Sequence, residues 1–494
     1  MERTDWRYLI GASILGLYLV LVPSISLIPA LELYNEKRAL QIGVLLAVGA
    51  VLLVSSTTRE RWLSIFCNLP LRARWGLAVV LGLGAFSAVL APAPVHAFLE
   101  LSHFVLLFVA AGVVALAVRQ APQQTERILL GAVGVSVLLY AVYFAVRYGG
   151  ALAFPALEIG RETVGGFANT RFFNQYQTWT LPLLGGGVLA LPTRWKGGKA
   201  GILLLAALWW ALILASNVRG TVVAIGIAAF GVGLLFRAQA YRWLGVQAAA
   251  LFVGGALYYC AFYLVSDAAP QFTHEMQHMS GNSWRVQRWL SCLELAGLHP
   301  WLGIGPMHFA WPPYHFEPGA HPHNAFLQWL AEWGMPSTGI MSALTVWGGW
   351  RWMQQEKDQA ETSGTRSNGV RVALVASVLA GAAHAMVSGL LVMPVSQVLL
   401  VLVGGWAWGR YQHEHQSTRV SPAFSRWVHV SLCAVLLGSI AVVGNGLRDL
   451  GAVEERRSSF LEAVERNQLS PRYWTQGYIG VRDSSVIERA QWDR

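Results

Sequence analysis

The sequence predicts an all-α, polytopic integral membrane protein, a bundle of 12–13 transmembrane helices with one large, mostly helical loop on the extracytoplasmic side. Three observations lead there. Of the 494 residues, 55% are hydrophobic and only 13% charged, where a soluble domain carries about 25% charged residues. Apolar runs of about 17 to 25 residues recur along the chain, the length needed to cross a hydrocarbon core of about 30 Å. The basic residues collect in alternate connectors between those runs, as the positive-inside rule requires.

In chain order the apolar runs place helices near residues 8–29, 40–56, 75–92, 98–117, 128–146, 176–191, 200–216, 221–236, 244–265, 336–350, 372–391, 394–409 and 427–446. The first run is too long for a signal-peptide core, lacks a small-residue cleavage site and is followed at once by further runs, so it reads as an uncleaved first helix. With the N-terminus inside, 20 Lys and Arg fall on inner connectors and 8 on the opposite loops. The chain therefore divides into helices 1–9 over residues 1–265, a large extracytoplasmic loop over 266–335, helices 10–13 over 336–446 and a tail over 447–494. A thirteenth helix leaves that tail outside. Leu450, Val453, Phe460, Leu461 and Val464 share one side of it, the pattern of an amphipathic helix.

The net charge of +10 suggests nucleic acid at first, but the basic residues form no stripe or basic tail, so no nucleic-acid partner is expected. Cys67, Cys260, Cys292 and Cys433 lie far apart, which indicates neither a disulfide framework nor a cysteine zinc site.

Lys and Arg on the outer side run against the rule, and eight are placed there: Lys37, Arg38, Arg147, Arg161, Arg171, Arg219, Arg285 and Arg288. Arg219 sits in Asn217-Val218-Arg219-Gly220-Thr221, a tight turn that holds its guanidinium at head-group depth. A planar fork of donors grips phosphate bidentately, so this arginine suits an anionic lipid or a diphosphate; the bland alternative is snorkelling to ordinary phospholipid. Arg171, in Asn169-Thr170-Arg171-Phe172-Phe173-Asn174-Gln175, stands among amides and aromatic rings that suit sugar or phosphate, or a common interfacial belt. Arg285 and Arg288 share a helix face, with the solvated reading favoured for Arg288.

The large loop holds seven of the thirteen histidines and is too long to be a plain connector. Its sharpest feature is His321-Pro322-His323-Asn324-Ala325-Phe326-Leu327-Gln328-Trp329-Leu330-Ala331-Glu332-Trp333-Gly334. Pro322 holds His321 extended, and helical spacing from about His323 puts that residue at a helix N-terminus. The positive helix end disfavours imidazolium and attracts anions, so one site can hold a phosphate and present a neutral general base. A zinc site at His321 and His323, with Glu317 the one nearby carboxylate, and a purely capping role for His323 are the rival readings. His321 is more readily structural, and Glu332 is suited to orienting a partner or closing a salt bridge. His384, inside its span, is a functional candidate or a helix-to-helix hydrogen bond.

His323-Asn324-x-Phe326-Leu327-Gln328-x-Leu330-Ala331-Glu332-x-Gly334, preceded by Trp301-Leu302-Gly303-Ile304-Gly305 and by Arg285 in a Trp-rich helix, resembles the signature of the O-antigen ligase superfamily. That group includes O-antigen ligases, O-antigen polymerases and bacterial protein O-oligosaccharyltransferases. The resemblance implies a metal-independent, inverting glycosyltransferase of the bacterial inner membrane that acts on the periplasmic face. Its implied donor is an undecaprenyl-diphosphate-linked glycan, and its acceptor a hydroxyl of lipid A-core, a growing glycan or a pilin-like protein. No cofactor or metal is implied. His323 takes the place of the essential loop histidine, Arg219 of the arginine in the short Arg-Gly turn and Arg285 of the loop arginine, with Arg171 matching less closely. His321, Asn324, Arg288 and Glu332 are supporting candidates. The helical tail after a thirteenth span departs from the basic ligase pattern. A flippase for anionic lipid would also use outward arginines, but it calls for internal repeats and charged residues near the midplane, and only His384 is noted inside a span.

Overall fold

The computed structural model describes residues 7–154, 165–265, 283–311, 314, 320–362, 365–413, 422–458, 471–477 and 479. It is helical throughout, with no strand among the described residues. In order the helices are α1 (Arg7–Leu21), α2 (Leu33–Val54), α3 (Ser56–Cys67), α4 (Leu71–Leu90), α5 (Pro94–Gln120), α6 (Pro122–Ala153), α7 (Thr170–Ala190), α8 (Lys196–Ala215), α9 (Arg219–Phe236) and α10 (Tyr241–Tyr258). After them come α11 (Ser283–Leu298), α12 (Ala325–Thr362), α13 (Thr365–Ala385), α14 (Pro394–His413), α15 (Pro422–Gly446) and α16 (Asp449–Glu455). Arg161, His274, His278, His315, Glu317, Phe460, Leu461 and Val464 lie outside the described residues.

Among the described residues eight helical stretches are long and apolar enough to cross a membrane. Val146, Phe230, Phe252 and Trp427 are each at least 70% exposed on the flanks of these helices, which water would penalise and lipid would not. The chain is a multi-pass membrane protein. Starts follow local chemistry: proline opens α5 and α6, where its missing N–H costs nothing, and Asn169 accepts from the Arg171 amide to cap α7.

Inside the bundle α14 runs along α5, α13 along α7 and α10 along α8. Gly405 and Gly409, one turn apart, let α14 approach the α5 backbone so closely that a Cβ there would stand 2.5 Å from the Ala111 carbonyl oxygen and 2.6 Å from that of Ala115. At the end opposite the loop, Glu356 of α12 accepts from Arg371 of α13 at 2.7 Å and from Arg410 of α14 at 2.7 Å. These arginines of inner connectors thus also knit three helices.

Several expectations are corrected. α1 ends at Leu21, and turns follow before α2. α3 was not expected, because its charges read as a connector; it buries Trp62, Leu63 and Ile65 while Glu60 stays exposed. The span expected at 336–350 is the middle of α12, whose axis breaks at Gly334 (φ 75, ψ 169) ahead of Pro336. Lys37 and Arg38 are not on an outer loop. Both are buried in the second turn of α2: Lys37 donates to the Val22 carbonyl at 2.7 Å, and Arg38 to Gln41 and Gln397 at 2.6 Å and to the Val392 carbonyl. Backbone and amide oxygens at helix ends take the place of a counter-ion there. The tail also departs from a simple amphipathic helix. After α16 the described stretch 471–477 is non-helical and wholly buried at the loop end of the bundle.

Candidate active site

The two halves of the loop motif are one structural unit. The first part of α12, Ala325 to Trp333, ends with exposed carbonyls that a helix terminus must satisfy. Ile304 donates its amide to the Ala331 carbonyl at 2.9 Å, Gly305 to that of Glu332 at 3.1 Å and Met335 to that of Pro300 at 2.8 Å. Gly303 (φ 68) and Gly334 (φ 75) make the interlock possible. A Cβ on Gly303 would run into the Glu332 carbonyl, and one on Gly334 would stand 2.5 Å from the Trp301 carbonyl oxygen. Hence Trp301–Gly305 and Ala331–Gly334 recur together in the motif for a reason of backbone packing. His308 seals the unit to α5: Nδ1–H donates to the Pro306 carbonyl at 2.8 Å and Nε2 accepts from the Ala93 amide at 3.0 Å. Burial pushes its pKa down to about 4, so it stays neutral and structural.

At the other end of this helix the cap is Asn324, not His323. Asn324 Oδ1 accepts from the Leu327 amide at 2.9 Å, and its carbonyl from Gln328 at 2.9 Å. His323 therefore sits just outside the helix, in the left-handed region at φ 58, a conformation that costs a non-glycine residue about 1 kcal/mol or more. Its ring lies 4.2 Å from that of His321. His323 is set deep in protein with part of its surface still open. Burial, then His321 and the charges of Arg288, Arg171 and Arg285, hold it well below the usual histidine range. A neutral imidazole is the form that accepts a proton. His321 is fully enclosed; burial and then Arg472 push it down to about 3, against a hydrogen bond with the Pro471 backbone. Gly389 leaves room for it, since a Cβ there would stand 2.5 Å from His321 Nε2.

The arginines arrive from three elements. Arg171 is the second residue of α7, and Arg285 and Arg288 lie one turn apart on α11. Arg288 corrects the solvated-face reading, for it is buried and Arg285 is the more open of the two. Burial lowers Arg285 from its usual value. The backbone of Pro322 accepts from Trp289 at 3.0 Å, which ties α11 to the His321–His323 turn. Arg219 opens α9 and is exposed. Its neighbour Gly220 packs on His384, where a Cβ would meet Nε2 at 3.0 Å, and Arg285 is an electrostatic neighbour of the same imidazole. His384 itself bonds Thr178 Oγ1 at 2.7 Å, so its helix-to-helix reading is realised. The amides near Arg171 hold helices together rather than a ligand: Asn174 donates to Ser216 at 2.9 Å and Gln175 to Ser388 at 2.9 Å.

Sequence reasoning allowed Glu332 a salt bridge but missed its partners, Arg472 and Glu100. Arg472 from the C-terminal segment places Nη2 at 2.6 and 2.9 Å from the two Glu100 oxygens and 2.7 Å from Glu332 Oε2. Glu332 Oε1 also accepts from the Phe309 amide at 3.0 Å. Burial pushes Glu332 up to about 7 against the pull of Arg472, while the two carboxylates, outweighing burial, raise Arg472. Glu100 lay in an apolar run, and an ionisable residue there implies a buried partner; that signal was available. Among the described residues no three His, Cys, Asp or Glu side chains come close enough to share a metal ion.

Residues 202–342, from α8 through the loop to the span in α12, match the family model described as O-Antigen ligase. That stretch is similar to the O-antigen ligase family, which supports membership of the O-antigen ligase superfamily. The match covers Arg219, Arg285, Arg288, His321, His323 and Glu332, whereas Arg171 and Arg472 lie outside it. Among curated proteins no sequence matches the chain significantly. The superfamily comprises membrane glycosyltransferases of ligase and polymerase type, which use lipid-linked glycans and acceptors.

Proposed function

We propose that this O-antigen ligase family protein transfers a glycan from undecaprenyl diphosphate to a hydroxyl of lipid A-core, with inversion and without a metal, at the periplasmic face of the bacterial inner membrane. The observation that carries the reading is the convergence of Arg171, Arg285 and Arg288 on a neutral, half-open His323 at one end of the bundle. His323 takes the proton of the acceptor hydroxyl as its oxygen attacks the anomeric carbon. The bond from that carbon to the diphosphate oxygen breaks on the opposite face, and undecaprenyl diphosphate departs. Arg285 and Arg171 offset the charge that grows on the leaving oxygen, with Arg219 at head-group depth steering the lipid diphosphate inward. The proton on His323 then passes to water or to the departing diphosphate.

The acceptor is tested in a deletion strain. Loss of long-chain lipopolysaccharide, restored by the intact gene, is expected. Loss of chain-length modality alone, or of a glycosylated pilin-like protein with lipopolysaccharide unchanged, would overturn lipid A-core as acceptor and move it to a growing glycan or to protein.

A further inference from the structure

We infer that the C-terminal segment 471–477 is part of the active site and that Arg472 is a positioning residue, fixing the far end of the helix whose near end carries His323. This rests on the reading of His323 as the base. Ala325 to Trp333 forms a rod of about 1.5 Å per residue, stiff over its length. Its His323 end is set by the Asn324 cap; at its Glu332 end the backbone interlock with Ile304 and Gly305 and the Phe309 amide are joined by a single guanidinium nitrogen that bridges the Glu332 side chain to Glu100 of α5. Moving one end tilts the other, and a shift of about 1 Å in a reacting group costs on the order of a hundredfold in rate.

The segment that brings Arg472 is docked by both α2 and the loop. Tyr34 donates to the Arg472 carbonyl at 2.7 Å, Arg38 Nε to that of Tyr473 at 3.1 Å, and Thr475 donates its amide to Asn35 at 2.8 Å. Ile479 donates to the Ala310 carbonyl at 3.2 Å, reaching the same loop that Glu332 holds through Phe309. The Pro471 backbone hydrogen-bonds His321, which ties the segment to the turn that carries His323, and Nη1 of Arg472 is buried without a hydrogen-bond partner among the described residues. A buried donor without a partner marks a place that accommodates something polar beside the base. Arg472, Glu100, Cys292 of α11 and Gln328 of its own helix are the charged, titratable or polar groups that face Glu332, and His308 lies near Arg472. An anchor that merely held the fold would have no reason to couple to the pH dependence of turnover.

The test uses the full-length protein in lipid nanodiscs, an undecaprenyl-diphosphate oligosaccharide and lipid A-core, with kcat, donor KM and the pH profile recorded. Burial has pushed Glu332 to about 7, so wild-type turnover is expected to fall on the acid side of that value as the tie to Arg472 loosens. Arg472→Gln is expected to lower kcat about a hundredfold at unchanged donor KM, and to move the acid limb upward because Glu332 has lost its cation. Arg472→Lys restores most of both, since one nitrogen makes all three contacts. Glu332→Gln removes the neutral-range limb. Unchanged kcat and profile in Arg472→Gln overturn the inference. Should that variant fail to fold, an unmoved acid limb in Glu332→Gln overturns it equally. His323→Ala is run alongside: normal turnover there sinks the base reading, whereas a dead His323→Ala with normal Arg472 and Glu332 variants sinks this inference alone.

Discussion

His323→Ala is expected to abolish glycan transfer while leaving donor binding in place. Removing a positioned general base costs about 10² to 10⁴ in rate, and here no neighbour can take over. His321 is fully enclosed by protein and Gly389, and His308 has both nitrogens committed. The diphosphate contacts proposed for Arg171, Arg219 and Arg285 lie on other elements, so donor affinity measured by direct binding should hold. A variant that binds donor normally and turns over at the wild-type rate would remove His323 from the mechanism.

Arg285→Ala is expected to act on both binding and rate. A charge-assisted bond to phosphate contributes about 1.5–3 kcal/mol, and a donor aimed at charge that develops only in the transition state is felt in kcat as well. Arg285 is already partly desolvated on α11, and Arg288, one turn away, is buried, so neither is an ordinary solvated surface charge. A rise in donor KM of about tenfold, with a fall in kcat of similar or larger size, is the expected pattern. A normal donor KM in both Arg285→Ala and Arg219→Ala would remove the clamp. Arg285→Lys should recover only part of the loss, because an ammonium cannot reproduce the planar fork.

What could be read from the sequence followed the range over which each interaction acts. Apolar length and the placement of basic residues are properties of single segments, and they led to the helical membrane class. The motif from His323 to Gly334 was legible because its parts lie within one helix and the turns at its ends. The same locality explains the mistakes made inside it. The sequence placed the helix start one residue early, so His323 was weighed as the cap that Asn324 provides. Lys37 and Arg38 followed an apolar-sided turn and were assigned to a loop, although α2 had already begun and carbonyls from distant helix ends were waiting for them. Arg472 was the least legible. Its partners stand 372 and 140 residues away, and eight acidic residues in the same tail offered an ordinary solvated explanation for its charge.

Catalysis itself, as against carriage of a lipid, is tested most directly by a single-turnover reaction of the purified protein in nanodiscs with a defined undecaprenyl-diphosphate oligosaccharide and lipid A-core, in the presence of a chelator. One equivalent of undecaprenyl diphosphate released for each glycan joined to the acceptor, with the anomeric configuration inverted, is the expected result. Donor recovered intact on either face of the membrane, with no acceptor-linked glycan formed, would contradict the assignment.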